Sequence, residues 1–139
     1  MYFISMTHKN YVFVIDEDSS SRNGLLRLLS SGGFYAQGFA SVNEFLDTVN
    51  PEEQGCILLD GGIPGMSSEE LIVQLKKRKL HYPIIFITSD DNVEIQKIAK
   101  ELKAIGLFRK PVDGIALLDS IRWATGSVHS NQNNLNQDK

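Results

Sequence analysis

Apolar residues along the chain fall into two alternating patterns: short unbroken runs and longer stretches at helical spacing. Tyr11-Val12-Phe13-Val14-Ile15 is a continuous apolar run that stops at Asp16-Glu17, as a strand buried on both faces does. Ser19 to Leu29 carries Leu25, Leu26, Leu28 and Leu29 and ends at Ser31-Gly32-Gly33, which predicts a helix with a glycine stop. Tyr35 to Phe39 predicts a weaker strand. Ser41 is placed to cap the next helix with Glu44 as its capping-box partner, and Val42, Phe45, Leu46 and Val49 follow helical spacing up to Asn50-Pro51. Cys56-Ile57-Leu58-Leu59 is a second buried strand, again stopped by an acid, Asp60. Gly61-Gly62-Ile63-Pro64-Gly65 reads as loop.

Ser68 to Lys79 predicts a helix with Glu69 and Glu70 in its first turn and Lys76-Lys77-Arg78-Lys79 in its last, charges that complement the helix dipole. Ile84-Ile85-Phe86-Ile87-Thr88 is the next buried strand. Ile95, Ile98, Ala99 and Leu102 then sit at amphipathic helical spacing. Leu107-Phe108-Arg109 is a short last strand, and Val112 to Ala124 predicts a final helix with Ile115, Leu118 and Ile121 on one face.

Five strands alternating with five helices imply an α/β fold, a parallel sheet with helices on both faces. Functional groups in such sheets gather outside the carboxyl ends of the strands. The residues at those ends are Asp16-Glu17, Asp60, Thr88-Ser89 and Lys110. Two carboxylates about 4 Å apart repel by about 4 kcal/mol at an effective dielectric of about 20, so something must neutralise them. A divalent cation with hard oxygen ligands does so, and Mg²⁺ suits one or two carboxylates with water and phosphate oxygens completing its shell, Mn²⁺ being the alternative. Lys110 adds a point charge for an anionic oxygen and Thr88 a hydroxyl donor. Carboxylates, a metal, a hydroxyl and a lysine suit phosphoryl transfer, where catalysis is positioning and charge neutralisation.

Composition narrows the class. The 139 residues amount to one domain, with 42% hydrophobic and 22% charged residues, ordinary for a soluble globular chain. Seventeen acids against 14 Lys+Arg give a net charge of −3, the wrong sign for a nucleic-acid surface. The lone Cys56 cannot form an internal disulfide, no apolar run reaches bilayer length, and Met1 to Met6 makes a poor signal peptide. These features point to a cytoplasmic domain with no membrane or nucleic-acid partner of its own. Met6 is a candidate second start. His8, His81 and His129 lack metal-ligand spacing, and Trp123 is a candidate interface anchor. Residues 1–10 are read as an N-terminal extension, 11–126 as the folded domain, and 127–139 as a polar tail or linker.

Four motifs in register at strand ends resemble the response-regulator receiver family of two-component signalling: Val14-Ile15-Asp16-Glu17, Leu58-Leu59-Asp60-Gly61-Gly62-Ile63-Pro64-Gly65-Met66, Ile87-Thr88-Ser89 and Phe108-Arg109-Lys110-Pro111-Val112. The resemblance covers Tyr11 to Ala124 and is most like regulators with a helix-turn-helix output. It implies a flavodoxin-like strand order 2-1-3-4-5. It makes Asp60 the phosphoacceptor, with Asp16, Glu17, Asp60 and the backbone carbonyl of Gly62 holding the metal. Thr88 would bind a phosphoryl oxygen, Lys110 would pair with Asp60 or its phosphoryl group, and Lys110-Pro111 would be cis. The implied partners are a sensor histidine kinase or phosphotransfer protein, and a second copy docked through the fourth helix, fifth strand and fifth helix. Gly62 and Asp90 would flank the path of water attacking the phosphoryl group.

The chain departs from that family at four places. Ser68 stands where glycine is usual, Gly61-Gly62 where bulkier residues are common, Leu107 where an aromatic switch residue is common, and Lys103 where glycine often ends a helix. Leu107, lacking a hydroxyl, is expected to stay packed inward in both states. The lead reading is a phosphorylatable switch, not a turnover enzyme. The alternatives are a degenerate receiver acting as a phosphorylation-independent interaction module, and a phosphatase like the haloacid-dehalogenases using Asp16-Glu17-Asp18 as an Asp-x-Asp motif.

Overall fold

The computed structural model describes residues 11–89 and 93–126. Five strands alternate with five helices: β1 (Tyr11–Ile15), α1 (Ser19–Ser31), β2 (Tyr35–Phe39), α2 (Val42–Thr48), β3 (Gly55–Asp60), α3 (Ser68–Lys77), β4 (Ile84–Thr88), α4 (Val93–Glu101), β5 (Gly106–Arg109) and α5 (Gly114–Ala124). All pairings are parallel and the sheet order is β2-β1-β3-β4-β5, as the resemblance implied. The extension 1–10 and the tail 127–139 lie outside the described residues, as do His8, His129, Asp90 and Asp91.

Successive strand residues point to opposite faces, and each face carries its own core. Phe13, Ile15, Ile57, Leu59 and Phe86 pack with Val42, Phe45 and Leu46 of α2, Leu71 of α3 and Ala99 of α4. Val12, Val14, Cys56, Leu58, Ile85 and Ile87 pack with Leu29 of α1 and Leu117 and Ile121 of α5. This two-sided burial is why β1, β3 and β4 read as unbroken apolar runs. The close approach of β1 to β3 requires Gly55, because a Cβ there would stand 2.3 Å from the Tyr11 carbonyl oxygen.

Caps fix the helix starts. Asp18 accepts from Ser20 N–H at α1, Ser41 from Glu44 N–H at α2, Ser67 from Glu70 N–H at α3, and Asp113 from Ile115 and Ala116 N–H at α5. The last of these corrects one boundary: α5 starts at Gly114, with Asp113 as cap, rather than at Val112. Its buried stripe is also shifted, to Leu117 and Ile121, while Ile115 is 75% exposed. Apolar residues on three sides of this helix left the sequence pattern ambiguous. α3 ends at Lys77 instead of Lys79, because Lys79 turns to a positive φ of 57°.

β5 is a sheet edge with alternating exposure, and it overturns the expectation for Leu107. That side chain is 41% exposed, and Phe108 instead packs on the α1/α5 core. Strand alternation sends Leu107 and Phe108 to opposite faces, and at this edge strand the face that carries Leu107 is left exposed.

Two stability measurements follow. Cys56 is fully buried and its thiol is pushed up to about 12 by that burial, so thiol-alkylating reagents at pH 8 are expected to label it only in denaturant; rapid native labelling, followed by mass spectrometry, would contradict the packing. Lys103 ends α4 at a φ of 55°, so Lys103→Gly is expected to stabilise the protein by about 1 kcal/mol in urea unfolding, by relieving a left-handed non-glycine residue.

Candidate functional site

Strand register builds the site. Ile15 pairs with Leu59, so Asp16 and Asp60 are the next residues on adjacent central strands. Asp60 pairs with Ile87, which puts Thr88 one step further along, and Thr88 pairs with Arg109, which brings Lys110 to the same edge. The Lys110 N–H donates to the Thr88 carbonyl at 2.9 Å, and the Lys110-Pro111 bond is cis. The result is a cleft of about 330 Å³ lined by Asp16, Glu17, Ser21, Asp60, Ser89 and Lys110 among others.

Asp60 is buried, with both carboxylate oxygens partnered. Lys110 Nζ lies 3.1 Å from Oδ1, and Ser21 Oγ donates to Oδ2 at 2.9 Å. Lys110 Nζ also donates to Ser21 Oγ at 3.2 Å, closing a triangle of carboxylate, ammonium and hydroxyl. Burial pushes the Asp60 pKa above the usual carboxylate value, and the nearby Asp16 charge adds to the rise. The hydrogen bonds from Lys110 and Ser21 act in the opposite direction and do not offset the burial.

Asp16 is also buried, and its two oxygens differ. Oδ1 accepts from Asp18 N–H at 3.0 Å, while Oδ2 has no hydrogen-bond partner among the described residues. Arg22 donates to the Asp16 carbonyl at 2.6 Å and ties the first turn of α1 onto the end of β1. Glu17 lines the mouth of the cleft and is exposed, so it is not drawn into the buried pair. Asp18 serves as the α1 cap, which leaves the Asp-x-Asp reading without its second free acid.

Gly61 and Gly62 have φ of 82° and 117°, and a Cβ on either would meet nothing within 4 Å. The loop after Asp60 is therefore open backbone in a left-handed conformation that favours glycine. Gly62 and Thr88 are both buried beside the cleft. Asp90, the other residue expected to flank an attacking water, lies outside the described residues.

The buried unpaired Asp16 oxygen beside the buried Asp60 carboxylate is what a bound cation would satisfy. No three His, Cys, Asp or Glu side chains converge as a ready-made cage among the described residues. Two buried carboxylates with an exposed third acid at the mouth fit a hard cation that keeps several waters, as Mg²⁺ does. Ser21 was missed by sequence reasoning. It sits in the run Ser19-Ser20-Ser21, where serine already has an ordinary explanation as a helix start, and only its position one turn past the cap could have singled it out.

Comparison with known proteins agrees with this geometry. The response regulator receiver domain family matches residues 12–122. The transcriptional regulatory protein FixJ of Azorhizobium caulinodans is 35% identical over 115 residues, which are 83% of this chain and 54% of FixJ. Nodulation protein W of Bradyrhizobium diazoefficiens is 33% identical over 84% of this chain and 52% of its own length. The chain thus spans about half the length of these relatives. The solved structure of the response regulator StyR has a TM-score of 0.74 and 38% identity, covering 94% of this chain and 66% of that one. With the family match running from β1 into α5 and relatives above 30% identity on the same fold, this chain belongs to the response-regulator receiver family of two-component signalling.

Proposed function

We propose that the chain is a phosphorylatable switch that accepts a phosphoryl group on Asp60 from a sensor histidine kinase or phosphotransfer protein, in a Mg²⁺-dependent reaction. One observation carries the reading: a buried carboxylate paired with a lysine 3.1 Å away, next to a second buried carboxylate with an unpartnered oxygen. In this reading an Asp60 oxygen forms the P–O bond while the P–N bond of a phosphohistidine breaks, and the imidazole nitrogen leaves with the electron pair. Asp16, Glu17, Asp60 and the Gly62 carbonyl would hold the ion, which when bound supplies positive charge to the phosphoryl oxygens. Lys110 balances charge on the opposite side, and the Thr88 hydroxyl is the donor to a phosphoryl oxygen. The protein turns over only its own phosphorylation and dephosphorylation.

The cytoplasm is the compartment in which this chemistry is read, and no helix among the described residues is long and apolar enough to cross a membrane. The FixJ relatives are named transcriptional regulatory proteins, and a transcriptional output is the class we infer for this switch. The face formed by α4, β5 and α5 is the docking surface we infer for a second copy or an output unit, and Leu107 of β5 and Ile115 of α5 are both exposed.

Treatment with acetyl phosphate and Mg²⁺ is expected to add one phosphoryl mass, lost in Asp60→Asn and on chelation with EDTA. No mass gain in the folded wild type would favour the phosphorylation-independent module. The raised Asp60 pKa also sets a stability profile. A folded-state value above the unfolded one means that stability is fully present below about pH 4 and is lost as pH rises through the folded value. Metal-free Asp60→Asn is therefore expected to be more stable than wild type at pH 7 and to lose that advantage toward pH 4, read from unfolding curves in EDTA.

A further inference from the structure

Ser21 is one side chain at the cleft that the receiver reading gives no role. It lies in the first turn of α1, which is held at both ends: Asp18 caps it through Ser20 N–H, and Arg22 grips the Asp16 carbonyl at 2.6 Å. The hydroxyl is consequently delivered to a fixed point on the sheet edge. There it makes two bonds of opposite sense, donating to Asp60 Oδ2 at 2.9 Å and accepting from Lys110 Nζ at 3.2 Å. A carboxylate can rotate about its terminal torsion in a broad, soft well, and the lysine bond at Oδ1 alone is a single pivot. A second donor at Oδ2 fixes the carboxylate plane. Each oxygen offers two lone-pair positions, so one accepted bond on Oδ1 and one on Oδ2 leave a further position on each for phosphorus or a metal.

We infer that Ser21 is a positioning residue for phosphorylation: its hydroxyl, bridging Asp60 and Lys110, locks the orientation of the acceptor carboxylate and of the ammonium beside it. The inference rests on Asp60 being the phosphoacceptor. Ser21 need not contact the phosphoryl donor. Its effect acts through the aim of the Asp60 lone pairs and through holding Lys110, a long flexible cation that is 39% exposed, close to the reacting oxygen.

The test uses the full chain with acetyl phosphate at saturating Mg²⁺ and follows phosphorylation by intact mass. Ser21→Ala is expected to slow phosphorylation about tenfold, the factor corresponding to one hydrogen bond of about 1.4 kcal/mol. Ser21→Ala also removes a bond to a buried carboxylate and is expected to lower the melting temperature somewhat, so rates are compared at a temperature where every variant is fully folded. Threonine and valine make the decisive pair, being near-equal in shape with only one hydroxyl between them. Ser21→Thr is expected to stay within about twofold of wild type, while Ser21→Val matches Ser21→Ala. In a Lys110→Met background, Ser21→Ala should cost much less, because half of the bridge is already gone. Wild-type rates in both Ser21→Ala and Ser21→Val, or equal rates in the threonine and valine variants, would overturn the positioning role. Failure of the underlying reading looks different: wild type itself would gain no phosphoryl mass, or Asp60→Asn would gain it undiminished.

Discussion

The burial of one carboxylate at the end of a fully apolar strand governs how this molecule is built. Asp60 follows Cys56-Ile57-Leu58-Leu59, all buried, and is itself 4% exposed. An ionised group taken out of water at such a position is costly unless it is paired. Lys110 comes from the far end of the chain, and Ser21 from the first helix, to supply that pairing. Both reach Asp60 only because β1, β3, β4 and β5 are parallel, so that every strand opens at the same edge. The parallel sheet therefore converts four separated sequence positions into one electrostatic unit.

That unit is left incompletely satisfied. Asp16 Oδ2 has no partner among the described residues, the Asp60 pKa stays raised despite Lys110 and Ser21, and Gly61 and Gly62 hold positive φ at the cleft's edge. Unspent acceptor capacity of this kind is what the proposed switch requires if a cation and a phosphoryl group are to bind there. The rest of the domain packs into two dense cores, one on each face, anchored by side chains such as Phe13, Phe45 and Phe86 on one side and Leu58, Ile85 and Leu117 on the other. Apolar burial is concentrated on the two faces of the sheet, and the polar cleft lies at its rim.

The opposite property appears at the β5 edge. Only one side of that strand is covered by the domain, and its exposed residues include Leu107, with Ile115 and Trp123 exposed on α5. Receivers often carry an aromatic at the position of Leu107. Here an aliphatic group faces outward, where it offers contact area without a hydroxyl to anchor it, so whatever docks there gains from burial and not from a directed hydrogen bond.

By itself the sequence determined the fold class, the strand order through a family resemblance, and the acids, hydroxyl and lysine of the rim. It could do so because unbroken apolar runs stopped by acids are the direct mark of doubly buried parallel strands, and because the strand-end rule sends whatever follows them to one place. Three things came only from the tertiary structure. Ser21 was invisible among three consecutive serines, since a serine at a helix start satisfies local rules whether or not it faces a carboxylate 39 residues away. The outward turn of Leu107 depended on β5 being an edge, and the buried stripe of α5 on which of its apolar residues joins the core that contains Leu29 of α1. Local spacing encodes periodicity along one element, whereas burial and pairing are decided by what the other elements bring to the same point in space.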